Sequence, residues 1–157
     1  DEALNDLPPS SEEVVEFMND NPPFTLSADF FEASGEVSSP GVFKLEDLLC
    51  VPDSDTRVLP YLERGLSLNL SPDRRATVLT ALLVRVHKMD PERATALCGE
   101  LRDMLNSGNL TQETVLESVF TLDKAGIETS FRVLHRTENQ IEVEVEINLP
   151  SPELVDE

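Results

Sequence analysis

Tryptophan is absent from this chain, tyrosine occurs once, and cysteine and histidine occur twice each among 157 residues. Two cysteines, Cys50 and Cys98, are too few for a disulfide-dense secreted scaffold, so a reducing compartment is the expected setting. The two histidines, His87 and His135, stand apart and lack Cys or acidic neighbours at zinc-like spacing, which excludes a recognisable zinc site. Six glycines are scattered among turns and helix ends. They form no G-x-G-x-x-G or Walker loop to cradle phosphate, and no G-x-S-x-G elbow to hold a nucleophile. No apolar run reaches the roughly 18–20 residues needed to span a bilayer, and no charged-then-apolar start resembles a signal peptide. Positive charge is scarce too: 12 Lys and Arg stand against 31 Asp and Glu, a formal net charge of -19.

The imbalance is uneven. Residues 1–65 hold 15 acids and 3 bases, residues 66–126 hold 8 and 7, and residues 127–157 hold 8 and 2. A surface of this sign repels phosphate backbones and anionic membranes, which argues against direct nucleic-acid binding and against membrane association. Apolar residues at 39% and charged residues at 27% are ordinary for a globular protein, and a chain of this length can bury roughly 68–70% of its unfolded surface. The expectation is a soluble folded domain in the cytoplasm or in an organelle interior. The acidic opening DEALNDLPP, without Met, fits either a piece of a longer protein or a mature form after loss of a targeting segment.

Capping and periodicity organise the chain. Residues 1–10 read as an acidic flexible tail, 11–150 as a single helical domain, and 151–157 as a second acidic tail. Ser10 and Glu13 form a capping-box pattern before a short helix through Val14, Val15, Phe17 and Met18, which Asn21-Pro22-Pro23 ends. Ser27 caps a short turn with Phe30 and Phe31, and Gly35 to Gly41 read as a loop. Residues 45–50 are expected to be helical. Thr56 opens a helix through Leu59, Tyr61 and Leu62, with Pro60 in its first turns and Gly65 as its stop.

Three helices then form the expected core. Ser71-Pro72 supplies an N-cap and an N1 proline for a helix to about Lys88 with Leu79, Leu82, Leu83 and Val86 aligned. Asp90-Pro91 repeats the device for a helix presenting Ala94, Leu97, Cys98, Leu101 and Leu105. Thr111 starts a third with Val115, Val119 and Leu122, and Gly126 lies past its end. Short connections favour antiparallel neighbours. The period then changes to two: SFRVLHR and IEVEVEI predict a hairpin at 129–148, with Phe131 opposite Ile147, Val133 opposite Val145, Arg132 opposite Glu146 and Arg136 opposite Glu142. The fold class is therefore α+β, mainly α: a compact antiparallel helical bundle with a C-terminal β-hairpin.

The chain carries little recognisable chemistry. Asp53-Ser-Asp55 begins like a calcium loop, but Arg57 and Arg64 stand where oxygen ligands belong. With 31 carboxylates, acid pairs at any spacing arise by chance. No catalytic residue, cofactor or metal ligand is assigned, and the chain is expected not to be an enzyme. Cys98 on an apolar helix face and Cys50 after Leu48-Leu49 read first as small buried hydrophobes, with a redox disulfide as the sharper alternative. Arg74, Arg85 and Lys88 fall near one side of their helix, a solvated face or a dock for an acidic segment. Glu142, Val143, Glu144, Val145 and Glu146 make a charged strand that a partner strand can extend. The function expected is a non-enzymatic interaction or assembly module, a subunit or adaptor whose protein partner carries a basic surface. Two other readings are an acidic nucleic-acid mimic blocking a DNA- or RNA-binding protein, and an enzyme or ligand-binding domain with an unseen pocket.

Overall fold

The computed structural model describes residues 11–32, 48–49, 56–138 and 141–149. The chain forms two compact units, Asp1–Ser71 and Pro72–Glu157. The fold is α+β and mainly α, with a two-stranded antiparallel sheet near the C-terminus. The flanking stretches 1–10 and 151–157, the loop at 35–41 and Cys50 lie outside the described residues, as does Ser10 of the capping box. Of the segment 45–50, Leu48 is helical and buried.

In the first unit, helix α1 (Ser11–Asp20) buries Val14 and Met18. It ends where the following residues must: Pro22 and Pro23 cannot continue a helix, and the chain turns through a 3-10 segment, Pro23–Thr25. Helix α2 (Ala28–Glu32) places Phe30 against Phe17, stacked at 5.7 Å between ring centroids, and Phe31 in the core. A 3-10 turn (Thr56–Val58) leads into helix α3 (Leu59–Leu66), where Pro60 is accommodated in the first turn. Gly65 does not stop this helix. It is a buried residue inside it, and a Cβ there would stand 2.9 Å from the Phe31 ring, so the position needs glycine for close approach rather than for termination. Tyr61 ties the unit together: its hydroxyl donates to the carbonyls of Met18 at 2.7 Å and Asn21 at 2.6 Å, in the last turn of α1 and just past it. Burial raises the Tyr61 phenol above its ordinary pKa.

In the second unit, helices α4 (Pro72–Val86), α5 (Pro91–Leu105) and α6 (Gln112–Lys124) follow the capping residues closely. The Asp90 side chain accepts from the Arg93 N–H at 3.1 Å and the Thr111 hydroxyl accepts from the Thr114 N–H at 3.3 Å. Gly108 and Gly126 lie past the ends of α5 and α6 with φ of 78° and 86°, the left-handed conformation that a chain reversal there requires. Helix α4 packs on both α5 and α6. Its leucines 79, 82 and 83 are buried with Leu97, Leu101 and Leu105 of α5 and Val115 and Leu122 of α6. Polar links add to the packing: Arg75 pairs with Glu100 at 2.5 Å, the Asp73 carboxylate accepts the Thr111 N–H at 3.0 Å, and the buried Thr80 hydroxyl donates to that of Ser118 at 3.2 Å. The hairpin of β1 (Glu128–Arg136) and β2 (Ile141–Asn148) lies with β2 against α5 and β1 against α6.

Candidate functional site

The hairpin shows two different strands. Along β2, Ile141, Val143, Val145 and Ile147 are buried while Glu142, Glu144, Glu146 and Asn148 are exposed, the alternation of a strand with one face on a core. Every described residue of β1 is exposed except Thr129, which is half-buried. Apolar residues do not escape this: Phe131 is 40%, Val133 41% and Leu134 53% exposed.

The observed register differs from the expected one. Phe131 pairs with Val145, Val133 with Val143, and Arg132 with Glu144, two residues short of the sequence reading. Leu134 has no partner opposite it, and beyond this bulge His135 faces Glu142 and Arg136 faces Ile141, so the expected Arg136 to Glu142 pairing does not form. A shift of two preserves which side chains share a face, so hydrophobic alternation alone cannot choose between the two registers. The Arg132 to Glu144 ion pair, 2.5 Å across the strands, replaces the expected pairing with Glu146.

The outer edge of β2 is occupied by a side chain. Asn106, the residue that ends α5, donates through Nδ2 to the Val145 carbonyl at 3.2 Å and accepts from the Val145 N–H through Oδ1 at 2.6 Å. Its carboxamide thus meets the strand as another strand's peptide group would. Further along that edge the Cys98 thiol, buried on α5, lies 3.8 Å from the Ile147 carbonyl. Burial raises the pKa of this thiol, and the Arg102 charge opposes the rise without reversing it, so Cys98 stays a protonated structural thiol.

Because Val145 directs its N–H and carbonyl toward Asn106, away from β1, the Phe131 and Val145 pair is a non-hydrogen-bonded one. Phe131 and Thr129 therefore direct their own peptide groups away from β2, to the outer edge of β1. No described backbone group bonds to them there. Helix α6, which packs against β1, carries Leu116 and Phe120, 40% and 63% exposed and four residues apart on one helical face, with the Lys124 ammonium 5.5 Å above the Phe120 ring. Of the seven exposed large hydrophobics among the described residues, five belong to α6 and β1; Phe24 and Met89 are the others.

The residues singled out from sequence are divided by the structure. Glu142, Glu144 and Glu146 form an exposed acidic row, whereas Val143 and Val145 are 1% exposed and belong to the core under β2. Lys88 is exposed and Arg74 half-buried, but Arg85 is 7% exposed and donates to the Ala81 carbonyl, so the three do not make one solvated face. Cys98 is buried and Cys50 lies outside the described residues. Leu116, Phe120, Leu134 and Asn106 were not anticipated. The first two carried a signal: they are apolar and lie off the Val115, Ser118 and Leu122 stripe that the helix buries. Among the described residues no group of three or more His, Cys, Asp or Glu is placed to hold a metal ion, and no helix is long and apolar enough to cross a membrane. No family, no curated protein and no solved structure matches this chain.

Proposed function

We propose that this chain is a non-enzymatic interaction or assembly module, a subunit or adaptor that binds a protein with a basic surface through the surface formed by α6 and β1. One observation carries the reading: of the seven exposed large hydrophobics among the described residues, Leu116, Phe120, Phe131, Val133 and Leu134 fall on two adjoining elements. A concentrated exposed apolar surface rimmed by charge is the usual mark of a docking site. The acid-rich setting, with Glu142, Glu144 and Glu146 on the hairpin and a chain charge of -19, adds long-range attraction for basic partners.

Affinity capture from native extract with the full chain, run beside a Phe120→Asp/Phe131→Asp double variant of matching circular dichroism, tests this reading. The expected result is a defined protein recovered by the native chain, lost with the variant, and weakened by salt. The same proteins recovered by both chains would reject the surface. Displacement of the captured protein by DNA or RNA would favour the nucleic-acid mimic instead.

A further inference from the structure

The reading above leaves open how a partner is held. We propose that the partner supplies an extended, basic segment that adds to the outer edge of β1 as a third strand, with its apolar side chains turned toward Leu116 and Phe120. This rests on the interaction reading, and it is argued from three independent features of the α6 and hairpin region.

The first is backbone polarity. The hairpin has two edges, and one is closed: Asn106 satisfies both peptide groups of Val145, and the Cys98 thiol stands at Ile147. The other edge is open, with Thr129 and Phe131 directing N–H and carbonyl groups away from β2 and meeting no described backbone partner. A partner strand completes that ladder, the backbone-led mode of recognition by strand addition. The unpaired Leu134 marks where regular pairing on β1 ends, so the usable edge runs from Glu128 to Val133.

The second is side-chain pattern. On the face shared with the buried residues of β2, β1 presents Thr129, Phe131 and Val133, and an added strand places every second side chain beside them. Those side chains would lie against the exposed surface of Leu116 and Phe120 on α6, the helix that packs against β1. Apolar residues at alternate positions are therefore required of the partner.

The third is charge, which decides between a foreign strand and a second copy of this chain. Residues 112–149 carry eight acids and three bases, and one of those bases, Arg132, is already paired with Glu144. Pairing β1 with β1 of a second copy sets two such acidic regions against each other. A strand with Lys or Arg at the positions between its apolar residues instead meets Glu128 on β1 and, past Arg132 with its Glu144 partner, the acidic row of Glu142, Glu144 and Glu146 one strand beyond.

The test is a selection of short random displayed peptides on the full chain, followed by affinity measurement of synthetic copies of the enriched sequences. The expected peptides alternate apolar with Lys or Arg. N-methylation of every second peptide nitrogen should weaken them by about tenfold or more in one phase and little in the other, because a strand in a ladder donates from one edge only. Binding should also slow exchange of the Thr129 and Phe131 amides. Peptides with apolar residues spaced by three and four, equally sensitive to methylation in both phases and lost with Phe120→Asp, would overturn strand addition and leave the interaction reading standing. No enrichment, or enrichment indifferent to Phe120→Asp and Phe131→Asp, would overturn both. Concentration-dependent dimerisation of the free chain that protects the Thr129 and Phe131 amides would assign the edge to a second copy and overturn the basic strand.

Discussion

Strands β1 and β2 are neighbours in one hairpin, built from similar alternating sequences, yet one is structural and the other is available. β2 buries four aliphatic side chains on one face and has its outer edge held by Asn106. β1 buries no described side chain and keeps its outer edge open. The difference does not arise from the strands' own composition, since Phe131 and Val133 are as apolar as Val145 and Val143. It arises from position: α5 lies under β2 and carries both the apolar cover and the carboxamide that closes the edge. A hairpin alone is marginal, so β2 anchors the pair and β1 is presented by it.

The sharpest way to break this contrast is to place one charge at each member of a single cross-strand pair. Val145→Asp buries a carboxylate against α5 and should cost about 4 kcal/mol or more in denaturant unfolding of the Pro72–Glu157 unit. Phe131→Asp, directly opposite, should cost far less. Next in size is Asn106→Ala, which leaves the N–H and carbonyl of buried Val145 without their partner and should cost about 2 to 3 kcal/mol. Equal tolerance of Asn106→Ala and an exposed control such as Asn109→Ala would remove the claim that the β2 edge is closed.

Tyr61 extends the logic of backbone groups held by a distant side chain to the other unit. Tyr61→Phe removes the donor to the Met18 and Asn21 carbonyls and should cost about 1 to 2 kcal/mol at neutral pH. The phenol's pKa is raised in the folded chain, so its contribution is fully present below its ordinary value of about 10 and is lost as pH rises through the folded value. The native melting temperature should therefore fall more steeply with pH above about 10 than that of Tyr61→Phe. A parallel decline in both would contradict the assignment. The smallest effect is Phe131→Asp, which should cost only about 1 kcal/mol, because Phe131 keeps 40% of its surface exposed while Val145 opposite it is buried. A large loss there would mean that β1 is structural after all.

Much of the fold was legible where local chemistry decides it. Asp90-Pro91 and Thr111 begin helices where their capping oxygens imply, and Gly126 turns the chain where its position suggests. What escaped the sequence was set by contacts distant along the chain. Gly65 resembles a helix stop, and only the Phe31 ring explains why it lies inside a helix. The hairpin register differs by two residues because alternation is blind to even shifts, and the bulge at Leu134 and the clamp at Asn106 are not written in either strand's pattern. The candidate site was half legible: the hairpin edge was singled out, but on the charged strand, since nothing in IEVEVEI says that α5 will cover it. Arg85 shows the same limit, because helical spacing groups it with Arg74 and Lys88 while packing buries it.

Residue-resolved hydrogen exchange on the free chain tests the contrast most directly. The account predicts that the Val145 amide, held by Asn106, exchanges slowly, that the Ser130 and Arg132 amides facing β2 are also protected, and that the outward Thr129 and Phe131 amides exchange close to the unprotected rate. Comparable protection of Phe131 and Val145 would show that both edges are closed in the free chain and would contradict the assignment of β1 as the docking strand.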